Sequence, residues 1–172
     1  MSRLPALASV LALTLATAPA LAAEPSVAFK AGDGASRGSA TLTEGPTGVL
    51  LRLSLTGLTP GWHGVHFHAK GDCSDAAFNN AGAHINHATP KPHGLLNADG
   101  PDFGDLPNVY AGADGKVMAE VFSALVSMKG MGGRPGLMDA NGSAIVVHAS
   151  PDDGKAQPIG GAGARVACAV VK

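Results

Sequence analysis

Gly61-Trp62-His63-Gly64-Val65-His66-Phe67-His68 concentrates more potential chemistry than any other stretch of this chain. It follows the turn signal Thr59-Pro60 and alternates with a period of two, so a strand puts His66 and His68 on one face and Val65 and Phe67 on the other. Two imidazoles on one strand face can grip a single metal ion. Of the chain's seven histidines, six fall between positions 63 and 93, and the last, His148, ends the apolar run Ala144-Ile145-Val146-Val147, which reads as a buried strand.

Neutral imidazole suits copper and zinc better than magnesium or calcium. His66 and His68, then His84, His93 and Asp105, then His148 offer five nitrogens and one carboxylate, too many for one tetrahedral ion. Two neighbouring metals sharing a bridging ligand would use them all. Without a metal, converging buried imidazoles would leave costly unpaired polar groups. His63 reads instead as a hydrogen-bonded core residue.

The elements that must position these groups are short. Val49, Leu51, Leu53 and Leu55 share one face of a strand while Arg52 and Ser54 point away. Similar strands are expected at 26 to 31, 38 to 43, 62 to 69, 109 to 112, 116 to 122, 144 to 148 and 164 to 171, and no window holds a helical period for three turns. Eight strands and little helix predict an all-β domain, an antiparallel sandwich or flattened barrel. The stretches 69 to 107 and 150 to 163 lack strand character. Loops of that length within a compact domain tend to be functional, and the first carries three histidines and a run of carboxylates. Ser123 to Gly142, with its many glycines and the Asn141-Gly142 turn, reads as a sheet-crossing loop.

The first 22 residues have the layout of a cleaved secretory signal: Arg3, an apolar run from Leu4 to Leu21, and the small-residue site Ala20-Leu21-Ala22. The mature chain, 23–172, is then the size of one domain, and no later stretch is apolar enough to cross a bilayer. Loss of Arg3 leaves 11 basic against 13 acidic residues, a formal charge of −2, which argues against a nucleic-acid partner. The two cysteines, Cys73 and Cys168, fit one disulfide in an oxidising compartment, periplasmic or fully secreted, or else two unpaired buried thiols.

Together with Gly61 to His68, five further motifs run in order along the chain: Ala81-Gly82-Ala83-His84, His93-Gly94, Gly104-Asp105-Leu106-Pro107-Asn108, Val147-His148-Ala149-Ser150-Pro151-Asp152-Asp153, and Gly160 to Cys168. In these the chain resembles the secreted bacterial copper/zinc superoxide dismutases. The resemblance implies a Greek-key β-barrel with long metal-binding and electrostatic loops. It implies copper held by His66, His68, His84 and His148, and zinc held by His84, His93 and Asp105, with His84 bridging the two. Asp152 would orient one histidine of each site, Arg165 would guide the substrate anion, and Cys73 would pair with Cys168. Lys129, Arg134 or Lys155 would add long-range steering. The implied activity is disproportionation of superoxide to dioxygen and hydrogen peroxide, with a homodimer left open.

One position departs from the family pattern. A third zinc histidine is usual three residues before the aspartate, and here that residue is Asp102. Counted from Cα, an aspartate oxygen lies as far out as a histidine Nδ1, so Asp102 can ligate zinc without moving the backbone, at the cost of one more negative charge. His87 is the rival fourth ligand, and a weak zinc site, water-completed or empty, is the third reading. Two other function classes compete with catalysis: a copper-buffering protein on the same fold, and a structural sandwich. Storage needs no anion-guiding arginine, and a structural sandwich has no reason to gather histidines.

Overall fold

The computed structural model describes residues 25–172, so the expected signal segment lies outside the described residues. Nine strands form among the described residues: β1 (Ser26–Lys30), β2 (Ser36–Gly45), β3 (Gly48–Leu55), β4 (Gly61–His63), β5 (Val65–His68), β6 (Val109–Ala111), β7 (Val117–Ser123), β8 (Ser143–His148) and β9 (Arg165–Val171). Seven pair antiparallel in the order β5-β8-β9-β1-β2-β3-β7, while β4 pairs with β6. β4 runs directly into β5, and β6 packs against β7, so the small sheet curls across the gap between the large sheet's two edges. The loop from 124 to 142 carries the chain from the β7 edge across to β8 beside the other edge. Among the described residues the only helical piece is a 3₁₀ turn at Asn79–Ala81.

The single strand expected at 62 to 69 is two. Alternation continues through it, but the pairing partner changes at Gly64. Its N–H donates to the Ser150 carbonyl and its own carbonyl accepts from the His148 N–H, both at 2.9 Å. A Cβ here would come within 2.9 Å of the Ala162 side chain, so only glycine lets these segments meet.

Strand alternation builds the interior. Val49, Leu51, Leu53 and Leu55 of β3 pack with Phe29, Leu42, Val65, Phe67, Ile145 and Val147 in one core. β8 is buried on both faces: Ile145 and Val147 face this core, while Ala144 and Val146 join Cys73, Phe78, Ala81 and Cys168 in a second cluster. The Cys73–Cys168 disulfide forms, joining the long loop after β5 to β9. That loop and the segment after β8 cover the outer face of β5 and β8, and the clustered histidines lie beneath them.

Candidate metal centre

With Val65 and Phe67 committed to the core, the two-residue period of β5 turns His66 and His68 outward, where they lie opposite Val146 and Ala144 of β8. His84 comes from the loop, bridged to His68, and His148 ends β8. All four are buried. One ring nitrogen of each is tied down: His66 Nε2 to Asp152 Oδ2 at 2.8 Å, His68 Nδ1 to the Gly82 carbonyl at 2.8 Å, His84 Nδ1 to Asp102 Oδ2 at 3.0 Å and His148 Nδ1 to the Gly163 carbonyl at 3.0 Å.

The opposite nitrogens, His66 Nδ1, His68 Nε2, His84 Nε2 and His148 Nε2, are buried with no hydrogen-bond partner. Donor atoms of these residues lie within 4.8 Å of one another. Anchors of this kind fix the tautomers, because carbonyls and carboxylates accept N–H and leave the other nitrogen with a free lone pair. Burial disfavours the charged ring, lowering the pKa of His68 to about 2 and that of His148 to about 4. Four neutral lone pairs around one point suit a soft or borderline cation.

A second cluster adjoins the first through His84. Donor atoms of His84, His93, Asp102 and Asp105, all buried, also lie within 4.8 Å of one another. Asp105 Oδ1 faces His93 Nδ1 and lies 3.7 Å from His84 Nδ1; both of the first two atoms otherwise lack hydrogen bonds. Asp105 Oδ2 accepts from the N–H of Gly94 and of Asp102, and Asp102 Oδ1 accepts from the Gly104 N–H, so each carboxylate is aimed by its second oxygen. Burial pulls the His93 pKa down, but Asp105 and Asp152 outweigh it and raise it to about 9. His87 instead stacks on Phe103, ring centroids 3.6 Å apart, and belongs to neither cluster.

Asp152 spans the two clusters, its Oδ1 lying 3.1 Å from His93 Nε2 while Oδ2 takes His66. Although burial opposes it, donation from His66, the Gly154 N–H and His93 holds this carboxyl well below the usual carboxylate range. His63 stands apart, its ring nitrogens 2.6 and 2.8 Å from the carbonyl oxygens of His148 and Thr59.

Arg165 reaches the site through an irregularity. The β8–β9 register shifts between Val147 and His148, so Arg165 rather than Val166 lies opposite His148, and Val166 packs with Ala167 against the core. Such a bulge re-aims the side chains beyond it. The guanidinium donates to the carbonyls of Phe78 and Gly82 at 2.5 and 2.8 Å. It lines a cleft of about 440 Å³ together with His68, His84, His93 and Asp102.

Three supports carry little sequence signal. Gln157 brackets His93, its Oε1 accepting from the His93 N–H and its Nε2 donating to the His93 carbonyl. Asn108 does the same for Asp152, at 2.8 and 2.9 Å. The carbonyls of Gly82 and Gly163 anchor His68 and His148, and a main-chain acceptor has no residue type to reveal it. Asn108, Gly82 and Gly163 lie inside quoted motifs, but Gln157 lies in none.

Residues 36–171 match the sequence model of the family described as copper/zinc superoxide dismutase (SODC). The "Superoxide dismutase [Cu-Zn]" of Caulobacter vibrioides is 64% identical over 143 residues, 83% of this chain and 82% of that protein. Among solved structures, a "SOD-like protein from Bacillus subtilis" superposes with a TM-score of 0.80 at 32% identity, covering 86% of this chain and 97% of that one. The "Cu/Zn superoxide dismutase from Brucella abortus" gives 0.69 at 28% identity, over 87% and 100%.

Proposed function

The chain belongs to the copper/zinc superoxide dismutase family, oxidoreductases that use copper and zinc, and from that premise we propose that His66, His68, His84 and His148 hold the copper while His84, His93, Asp102 and Asp105 hold the zinc. The observation that carries this reading is the set of four buried imidazole nitrogens left without partners. Donors on a tetrahedral zinc with bonds of about 2.0–2.1 Å are about 3.3 Å apart. Once His84 gives up the Nδ1 proton that it donates to Asp102 without metal, its separations from Asp102, 3.0 Å, and Asp105, 3.7 Å, bracket that spacing and support Asp102 as the fourth ligand.

Copper supplies the one-electron couple by which one superoxide is oxidised to dioxygen and a second, with two protons, is reduced to hydrogen peroxide. The protein's part is to present, orient and protonate. Asp152, held by Asn108, fixes His66 and His93 together, so both clusters keep one geometry. His84 offers a ring nitrogen to each cluster, and its Nε2 can take up a proton and deliver it to the reduced substrate. Arg165, always cationic, attracts the anion into the cleft. The disulfide supports a location outside the cytoplasm.

The test is direct. Purified protein loaded with Cu(II) and Zn(II) is expected to give a type 2 copper EPR signal with nitrogen hyperfine structure and to disproportionate superoxide in pulse radiolysis. Copper bound with that signal but no turnover would favour the copper-buffering alternative, and no such signal would remove the four-histidine site.

A further inference from the structure

Lys91 sits where it can act on a small anion, although nothing in its own sequence context marks it. It lines the same cleft as His68, His84 and Arg165, from the side formed by the loop between His84 and His93. Its backbone is pinned: Asn86 Nδ2 donates to the Lys91 carbonyl at 2.9 Å, and the Lys91 N–H donates to Asn86 Oδ1 at 3.0 Å. Prolines at 90 and 92 flank it, and a residue before proline is confined to extended backbone. The side chain takes no part in this clasp and is exposed. Among the described residues no carboxylate pairs with its ammonium group.

The charge balance of the cleft gives that cation a purpose. Of the lining residues, Asp102 contributes a carboxylate, and Arg165 and Lys91 contribute the two cations. Asp102 is assigned to zinc in the metal-loaded protein, so Arg165 and Lys91 are the two side-chain cations left to act on an entering anion, and loss of Lys91 would weaken the field that draws it in. Lys129 and Arg134 line no part of this cleft, and Arg134 is turned to the carbonyls of Met131 and Pro46.

We propose that Lys91 is a second substrate-steering residue, which works with Arg165 to draw superoxide into the cleft. The proposal rests on the dismutase reading of the site. Steering of this kind changes the encounter rate and is screened by salt, whereas it leaves the metal ligands untouched.

The experiment compares fully metal-loaded wild type, Lys91→Met, Lys91→Glu and Lys129→Glu, the last making the same charge change away from the cleft. Copper and zinc contents and the copper EPR signal verify intact sites, and pulse radiolysis gives kcat/KM across ionic strength. Relative to wild type at low salt, Lys91→Met is expected to lose about twofold and Lys91→Glu about fivefold, the gap closing as salt rises, with Lys129→Glu losing far less. Wild-type kinetics in Lys91→Glu with its metals in place would overturn the proposal. So would equal losses in Lys91→Glu and Lys129→Glu, since overall charge and not cleft position would then set the rate. An inactive wild-type holoprotein would instead overturn the dismutase reading, so the two failures are told apart.

Discussion

His68 and Arg165 donate to one and the same oxygen, the main-chain carbonyl of Gly82, each at 2.8 Å. A single peptide group thereby fixes the tautomer of a proposed copper ligand and holds the cation beside it. Gly82 has φ of 78° and ψ of −155°, a conformation open essentially to glycine alone. The position is therefore conformational rather than steric, since a Cβ here would meet only the Lys70 side chain at 3.7 Å.

Gly82→Ala should cost about 1–3 kcal/mol from backbone strain alone. As the peptide relaxes, its oxygen moves away from both donors, so thermal stability and kcat/KM should fall together. Unfolding and superoxide kinetics on the metal-loaded variant check this. A stable variant with unchanged copper EPR and unchanged rate would show that the shared acceptor has no role.

Arg165→Glu should leave copper bound while lowering kcat/KM and flattening or reversing its dependence on ionic strength, because a cation lining the cleft with His68 and His84 becomes an anion. Kinetics indistinguishable from wild type at low salt would remove Arg165 from the steering account.

Asp102→Ala should retain copper but bind zinc more than about 100-fold more weakly, since even loss of an outer-shell partner typically costs 10–100-fold. Asp102→His should restore affinity, because Nδ1 reaches as far as the carboxylate oxygen it replaces. Competition with a zinc chelator measures both. Equal zinc affinity in wild type and Asp102→Ala would exclude Asp102 as a ligand.

The residue types and spacings that carry the chemistry were legible because a metal site selects side chains. His66 and His68 share a strand face by periodicity alone, counting lone pairs calls for two metals, and the four-histidine copper set comes from the family resemblance. The split of the expected 62–69 strand was hidden because Trp62, His63, Val65 and His66 keep a two-residue rhythm while the partner strand changes at Gly64. The bulge that turns Arg165 toward His148 was equally silent, since Val166 and Ala167 read as ordinary strand residues. Gln157 and Asn86 act by clasping the main chain of His93 and Lys91, a pairing across folded loops that no local pattern encodes.

Metal-free protein should be most stable near pH 6.5. His68 and His148 stay neutral when folded, with pKa values lowered to about 2 and about 4, so below about 6.5 the unfolded chain takes up protons that the folded one refuses. Stability then falls as the pH drops toward 4. His93 has the opposite sign. Raised to about 9 by its carboxylate neighbours, its contribution is fully present below about 6.5 and is lost as the pH rises through 9. Urea unfolding of chelator-treated protein from pH 4 to 9.5 should trace this dome, and a flat profile between pH 4.5 and 6.5 would contradict the neutral assignments of His68 and His148.

The disulfide should matter for rate as well as stability. Cys73 and Cys168 are both buried and 95 residues apart, so in the chain-entropy description removing the bond costs on the order of 4 kcal/mol. For a domain of this size that corresponds to a Tm loss of about 10 °C. The same bond tethers the segment whose Phe78 and Gly82 carbonyls hold Arg165, and its Cys168 end lies only three residues beyond Arg165 on β9. Releasing it should loosen the arginine while His66 and His68 stay on β5 and His148 on β8, with His84 still tied to His68 by its backbone bridge. Cys73→Ser/Cys168→Ser protein loaded with copper and zinc should therefore melt lower and show reduced kcat/KM with a weaker salt dependence, yet keep its copper stoichiometry. A lower Tm with unaltered rate and salt dependence, measured where the variant is fully folded, would mean that the Arg165 carbonyl pair is held by the loop's own packing and not by the bond.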